Sequence, residues 1–290
     1  MGENMITPNT LQSKLLYATT RITTYDDDDQ PLAYGTAFFF EYAVEYGKYL
    51  QVLVTNKHVV EGAKLGAFHV HKATEDGSLP TIDSFEIIVQ DFEKQWISHP
   101  SNLDLCVLPF NPLRRRESEQ GRKLFIATLD ENLIPAQQTL EELAPMEDII
   151  MVGYPIGLWD DVNNFPIFRR GVTAFHPALD YQGQPRGVVD IAAFPGSSGS
   201  PIVIANDGSY TTPMGLHYKG GRLLFLGILS CGPMLEADGT IVTIDVPTVK
   251  KDITLTNIPI HLGYYIKSKE LVELKIHLLS VVDNDGIRKA

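Results

Sequence analysis

The stretch best suited to covalent chemistry is Phe194-Pro195-Gly196-Ser197-Ser198-Gly199-Ser200-Pro201, which runs into the apolar segment Ile202-Val203-Ile204. A serine flanked by glycines at a tight bend before a strand presents its hydroxyl at a rigid edge. Gly196 lets the backbone turn an amide inward, so the amides of Gly196 and Ser198 could converge on one oxyanion. Taken alone, such a cluster also reads as an ordinary turn, and it is not the hydrolase elbow Gly-x-Ser-x-Gly, because Ser200 stands where the last glycine would be. Serine is a poor nucleophile without a base. Upstream, Thr55-Asn56-Lys57-His58-Val59-Val60 places a histidine directly after the apolar run Leu50 to Thr55. Asn102-Leu103-Asp104-Leu105-Cys106-Val107-Leu108 places a carboxylate at the head of another apolar run. A carboxylate in such surroundings is costly unless hydrogen-bonded, for instance to the His58 imidazole. Read singly, His58 also fits a core histidine and Asp104 a strand-edge residue.

The joint order His58, Asp104, Ser198 is one of the known triad orders. With these motifs the chain resembles the chymotrypsin-fold serine proteases, and above all bacterial trypsin-like peptidases without disulfides, over roughly Tyr34 to Ser268. Thr55 to Val60 is similar to the family's histidine segment, Asp104 to Leu108 to its carboxylate strand, Gly196 to Pro201 to its nucleophile turn, and Gly227-Ile228-Leu229-Ser230-Cys231-Gly232 to its substrate-binding strand. The resemblance implies an all-β fold of two six-stranded antiparallel β-barrels, His58 and Asp104 coming from the first and Ser198 from the second. Ser198 would attack a peptide carbonyl, His58 would carry the proton, Asp104 would fix the imidazole tautomer, and Gly196 with Ser198 would form the oxyanion hole. Ser230 would support Asp104, and the backbone of Ser230, Cys231 and Gly232 would pair with an extended protein or peptide substrate. The pocket floor falls on Ala192, with Gly232 and Gly263 as walls. No acidic group stands there, which implies a preference for an apolar side chain before the cleaved bond. Secreted relatives place Asp just before the nucleophile, where it captures a newly cut N-terminal amine; here that residue is Ser197. Activation of that type is therefore not expected, and the oxyanion loop is either preformed or ordered by a partner or substrate. Two other readings stand beside the peptidase: an esterase sharing the chemistry, and a catalytically latent or non-catalytic module that binds extended peptides.

These residues need a β scaffold, and the spacing predicts one. Short apolar or alternating runs bounded by turn residues recur at Ala37 to Tyr42, Tyr49 to Thr55, Ile87 to Asp91, Leu105 to Phe110, Ile149 to Gly153, Gly187 to Ala193, Pro201 to Ala205 and Leu223 to Ser230. Thr139 to Met146 and Ser268 to Leu279 have apolar residues at helical intervals instead, and Ser268 followed by Glu270 and Glu273 predicts a capped C-terminal helix. The polar stretch Asn111 to Glu147 separates two strand-rich halves. The expected division is an extension at 1–20, barrels at 21–125 and 148–266 with a linker at 126–147, and a helix and tail at 267–290. Gly153 to Trp159 and Phe165 to Thr173 read as surface loop beside the cleft, with Trp159 either packing or touching substrate.

Composition narrows the partners. The 290 residues carry 24 Lys plus Arg against 36 Asp plus Glu, a formal charge of -12, which argues against a nucleic-acid or anionic-membrane binder. No apolar stretch approaches the roughly 18 residues that span a bilayer, and Met1 to Pro8 has no signal-peptide pattern, so a cytoplasmic address is expected. A tethered peptide-binding module is not expected. Phosphate-loop, dinucleotide and zinc-site spacings are missing, so no cofactor or metal is implied. His69 and His71 share one strand face but lack an evident third ligand; Asp283-Asn284-Asp285-Gly286 resembles only part of a calcium loop. Asp26 to Asp29 reads as a solvated turn, Arg114-Arg115-Arg116 as linker surface, and Cys106 and Cys231 as buried free thiols.

Overall fold

The computed structural model describes residues 6–28, 30–232, 234–237, 256–259, 261–283 and 286–287. Its strands are β1 (Thr19–Tyr25), β2 (Pro31–Ala43), β3 (Tyr49–Thr55), β4 (Leu65–Ala73), β5 (Pro80–Gln90), β6 (Ile97–Ser98), β7 (Cys106–Pro109), β8 (Leu124–Phe125) and β9 (Leu129–Asp130) in the N-terminal half. The C-terminal half has β10 (Asp148–Gly153), β11 (Ile167–Thr173), β12 (Arg186–Asp190), β13 (Pro201–Asn206), β14 (Ser209–Thr211), β15 (His217–Lys219), β16 (Arg222–Cys231), β17 (Met234–Ala237), β18 (Thr256–Pro259) and β19 (Leu262–Lys267). Helices are few and mostly short: α1 (Leu11–Ala18), α2 (Lys57–Val60), α3 (Phe92–Gln95), α4 (Asn111–Glu119), α5 (Gln137–Glu141) and α6 (Glu270–Val281).

The fold is all-β with a C-terminal helix. In the C-terminal half β10-β11-β12-β19-β16-β13 close into a six-stranded barrel. The N-terminal half is one nine-stranded sheet in the order β5-β4-β1-β2-β3-β7-β6, with β8 on β4 and β9 parallel to β2. Its hydrogen-bonded path stays open between β5 and β6, because β6 is only two residues long and runs into Pro100. The chain joining these two strands sends Phe92 and Trp96 of the α3 region into the adjacent core.

Alternation along strands builds two core layers at once. On β2, Phe38 and Phe40 enter a core shared by both halves, while Ala37 and Phe39 enter the core of the N-terminal sheet. β3 repeats the split, with Val52 and Val54 on one side and Leu53 on the other. Across the shared core, Phe38 meets Phe225 of β16 edge-on at 5.4 Å. Leu271, Leu274 and Leu278 place one face of α6 there too, and the Tyr42 hydroxyl donates to the Leu271 carbonyl at 3.0 Å. The expected Ser268 cap is not used. Ser268 is still tied to the barrel through its amide to the Leu226 carbonyl, and Lys269 occupies the N-cap position with its ammonium on Asp180 rather than on the helix end.

Several polar segments take more regular form than their composition suggests. Asn111–Glu119 is a helix rather than connecting surface, and its Arg116, with Arg122, flanks the buried Glu117 carboxylate at 2.8 and 3.0 Å. Leu129–Asp130, from the stretch expected to link the halves, pairs with β2. Leu15 of α1, from the expected N-terminal extension, is wholly buried in the shared core. Ile167–Thr173 is a barrel strand, not a loop. Asp26 makes a turn by accepting the amides of Asp28 and Gln30. Among the described residues no helix is long and apolar enough to cross a membrane.

Removing the ring that joins the two halves tests this packing. Phe225→Ala should lower the unfolding free energy by about 3 to 5 kcal/mol, measured by guanidinium denaturation. Ile276→Ala, at an exposed position of α6, should change it by less than about 0.5 kcal/mol.

Candidate active site

β3 ends at Thr55, and Asn56 turns the chain into α2, a single helical turn anchored by the buried Val59 and Val60. That anchoring leaves His58 facing solvent. Asp104 lies in the loop between β6 and β7, and the Asn56 side-chain amide donates to its backbone carbonyl at 2.7 Å. The histidine turn and the aspartate loop are thus fastened together independently of their side chains. His58 Nδ1 lies 2.7 Å from Asp104 Oδ2, and the His58 amide donates to Oδ1 at 3.1 Å. From the barrel, the Ser230 hydroxyl donates to Oδ2 at 2.6 Å. An ionised carboxylate only accepts, so Nδ1 carries the proton in the neutral ring and the Nε2 lone pair is left outward.

Burial alone would raise the Asp104 pKa. The hydrogen bonds from His58 and Ser230, with the charge of the neighbouring imidazole when protonated, outweigh that effect and hold it below the ordinary carboxylate value.

The nucleophile turn is built from the opposite side. Gly196 and Gly199 have φ of +85° and +86°, the left-handed region that glycine enters at no steric cost. At Gly199 a side chain would also collide with the Thr36 carbonyl. Thr36 of β2, wholly buried, clamps the turn: its amide donates to the Ser198 carbonyl at 2.9 Å, and its hydroxyl donates to the Gly196 carbonyl at 2.9 Å. The same hydroxyl accepts the Tyr154 amide at 3.0 Å, and the Thr36 carbonyl accepts the Thr55 hydroxyl at 2.7 Å. The Pro195 carbonyl accepts the Ile156 amide, which turns it away from the cleft; in a trans peptide the Gly196 N–H then points the other way. Among the described residues neither the Gly196 nor the Ser198 amide has an acceptor. The Ser198 hydroxyl donates to the Ser230 carbonyl at 3.1 Å rather than to His58.

A cavity of about 370 Å³ adjoins these groups, lined by His58, Ser198, Ala193, Phe194, Leu229, Cys231, Gly232 and Leu262 among others. Of the expected pocket residues, Gly232 lies on its wall, with Ser230 and Cys231. Ala192 and Gly263 do not: the lining positions are their neighbours Ala193, in the loop after β12, and Leu262 of β19. Gly263 pairs with Val189 of β12 and is buried against Leu229, so the strand alternation directs it into the barrel wall. Much of the segment 235–259, which leads into this wall, lies outside the described residues. The lining carries no carboxylate.

Cys106 is buried, donating its thiol to the Thr55 carbonyl, and burial pushes its pKa well up. Cys231, expected to be buried, is exposed at the cleft. Trp159 packs on the Arg21 guanidinium at 4.4 Å and on the His69 ring at 4.9 Å. His71 turns from His69 to the carbonyls of Thr81 and Asn164. Of the partial calcium-loop motif, Asn284 and Asp285 lie outside the described residues. Thr36 escaped the sequence reading; its only signal is a hydroxyl residue heading the apolar strand run Ala37 to Phe40.

A barrel and a curved sheet that contribute facing loops to one cleft define the chymotrypsin-like class. Residues 35–210 match the trypsin-like peptidase domain, and the chain belongs to that family of proteases. Two solved structures are similar at 13% identity: the Rv3671c protease from M. tuberculosis in its active form (TM-score 0.44, covering 94% of this chain and 89% of that one), and the Rv3671c protease in its inactive form (TM-score 0.42, covering 90% and 88%). No curated protein matches the chain.

The lowered Asp104 pKa makes a pH-dependent contribution to stability. It is fully present above the unfolded carboxylate value of about 3.9 and is lost as pH falls through the lower folded value. Urea midpoints measured between about pH 5 and 2 should therefore fall more steeply for the wild type than for Asp104→Asn; equal slopes would remove the carboxylate from the account.

Proposed function

We propose that the chain is a serine endopeptidase using Ser198, His58 and Asp104, with residues 21–125 and 148–266 as the two catalytic halves joined by 126–147. The observation that supports this reading most is the continuous arrangement Ser230–Asp104–His58 beside a serine whose turn leaves two amides without acceptors. In the proposed reaction the Ser198 Oγ–H proton passes to His58 Nε2 as Oγ bonds to the peptide carbonyl carbon. The oxyanion is met by the amides of Gly196 and Ser198. Collapse breaks the C–N bond, His58 gives the proton to the leaving amine, and water repeats the sequence to release the acid. Asp104 stays ionised throughout, fixing the tautomer that leaves Nε2 free.

Extended substrate adds as a strand beside Ser230 to Gly232. Its amide before the cleaved bond would take the Ser230 carbonyl, the acceptor on which the Ser198 hydroxyl rests. Substrate binding then frees that hydroxyl to turn toward His58. The pocket of Ala193, Leu229, Gly232 and Leu262, without a charge, favours an apolar side chain before the cleaved bond.

Labelling with a fluorophosphonate probe tests the reading. The wild type should label, and Ser198→Ala and His58→Ala should not; Asp104→Asn should slow labelling by about 10⁴, the scale of losing the correct tautomer. Absence of labelling in the wild type would favour a latent or peptide-binding module instead. Peptide libraries should then show cleavage after apolar residues, and preference for Lys or Arg would overturn the pocket assignment.

A further inference from the structure

Beneath the nucleophile turn lies a guanidinium that the proposed chemistry does not use. Arg169 sits on β11 opposite Met151 of β10. Its Nη1 donates to the Ala192 carbonyl, and its Nη2 donates to the Ser197 hydroxyl at 2.5 Å. Ser197 is wholly buried, and its hydroxyl also accepts the Phe194 amide at 3.3 Å. One rigid fork therefore ties together the two ends of the turn that presents the Gly196 and Ser198 amides.

This arrangement is costly as a purely structural device. Among the described residues Arg169 forms no ion pair with a carboxylate. Burial drives its pKa down to about 10, and its Nε is buried without a partner. A cation held by two neutral acceptors gives up more hydration than a neutral side chain would. What the fork supplies is direction: two donors in fixed geometry fix two acceptors at once, which neither lysine nor an apolar residue does. The second acceptor is Ser197, the residue directly before the proposed nucleophile.

We propose that Arg169 is the positioning residue that holds the Ala192–Ser198 turn with its two amides facing the cleft, so that the oxyanion hole is ordered from within the chain rather than by a cut N-terminus or an activating partner. This inference rests on the reading of Ser198 as nucleophile and of the two amides as the oxyanion hole. Thr36 clamps the turn from above and Arg169 pins it from below. Without the pin, the Ala192 carbonyl loses its donor and the Ser197 hydroxyl keeps only the Phe194 amide, and the turn can rotate the amides away while Ser198, His58 and Asp104 stay in place.

The full chain is labelled with a fluorophosphonate probe, and the saturating rate is separated from the half-saturating concentration. Arg169→Ala should cut the saturating rate by about 10²- to 10³-fold, the scale of losing an oxyanion donor, with the half-saturating concentration nearly unchanged. Arg169 is half-buried rather than sealed off, so a small solute can reach the space its side chain leaves. Millimolar methylguanidinium should restore labelling of Arg169→Ala, and methylammonium at equal ionic strength should not. Ser197→Ala, which keeps the guanidinium, should slow labelling in the same parameter, and the double variant should be no slower than Arg169→Ala. Additive losses, rescue by methylammonium as well, or wild-type rates in Arg169→Ala would overturn the proposal. If Arg169→Ala fails to fold, Ser197→Ala decides: a folded variant labelling at the wild-type rate overturns it. A wild type that does not label at all would instead overturn the peptidase reading on which this rests.

Discussion

The site depends on one buried threonine. Four hydrogen bonds at Thr36 join the nucleophile turn to the strand that leads to the histidine turn: its amide and hydroxyl hold the Ser198 and Gly196 carbonyls, its hydroxyl also receives Tyr154, and its carbonyl receives Thr55. Thr55 leads directly into Asn56, which fastens the Asp104 backbone. A connected polar path thus runs from the carboxylate loop through the histidine turn to the nucleophile turn. Inside a low-dielectric core such a path is stiff, because each group that lets go is left unsatisfied. The relative placement of residues from two halves of the chain is fixed by this path, not by either half alone.

Packing around the path has the same logic. β2 and β3 are buried on both faces, so neither can slip by one residue without exchanging its two cores. β16 faces a harder problem, because it must fill the barrel and also deliver Ser230 to Asp104 in the other half. A bulge solves it. Ile202 pairs with Gly227 but Val203 pairs with Phe225, leaving Leu226 extra. The face of the strand changes there: Phe225 and Ile228 both enter the shared core although they are three positions apart. A second irregularity follows, since Leu229 pairs with Tyr265 but Cys231 with Tyr264, leaving Ser230 extra on the β19 side, and from this point its hydroxyl reaches the carboxylate.

Much of this was legible in the sequence, for stated reasons. Strand alternation located β2, β3, β7, β10 and β13 closely, since half-buried or doubly buried strands carry that pattern directly. The segments around His58, Asp104 and Ser198 drew attention because each places a chemically active side chain at the end of an apolar run. What escaped were features decided by contacts distant in sequence. Asn111–Glu119 is polar in composition yet helical, held by the buried Glu117 between Arg116 and Arg122. Cys231 looked like a core residue because its strand is apolar, but it stands at the end of β16 where the cleft opens. The cavity beside Ser198 is lined by Ala193 and Leu262, neighbours of the expected Ala192 and Gly263, because a count along the chain does not say which of two adjacent residues faces the cleft. The roles of Thr36 and Arg169 were hidden in the sequence, since each acts on a turn more than 20 residues away.

The resting position of the Ser198 hydroxyl follows from the same economy of acceptors. In a cleft without substrate, the Ser230 carbonyl would lie unpaired at the end of a barrel strand, and the adjacent serine satisfies it. A substrate strand added along Ser230 to Gly232 supplies a backbone N–H for that carbonyl and displaces the hydroxyl. The acceptor proposed for it is then Nε2 of His58, its orientation already set by Asp104. Under the proposed mechanism, the base receives the nucleophile's proton most readily when an extended chain has paired along this strand. A small ester or a fluorophosphonate, which offers no such N–H, reacts only through the fraction of molecules in which the hydroxyl has left the carbonyl unaided. The hydrogen-bond requirement of one backbone carbonyl therefore favours peptide over simple acyl substrates, independently of what the side-chain pocket accepts.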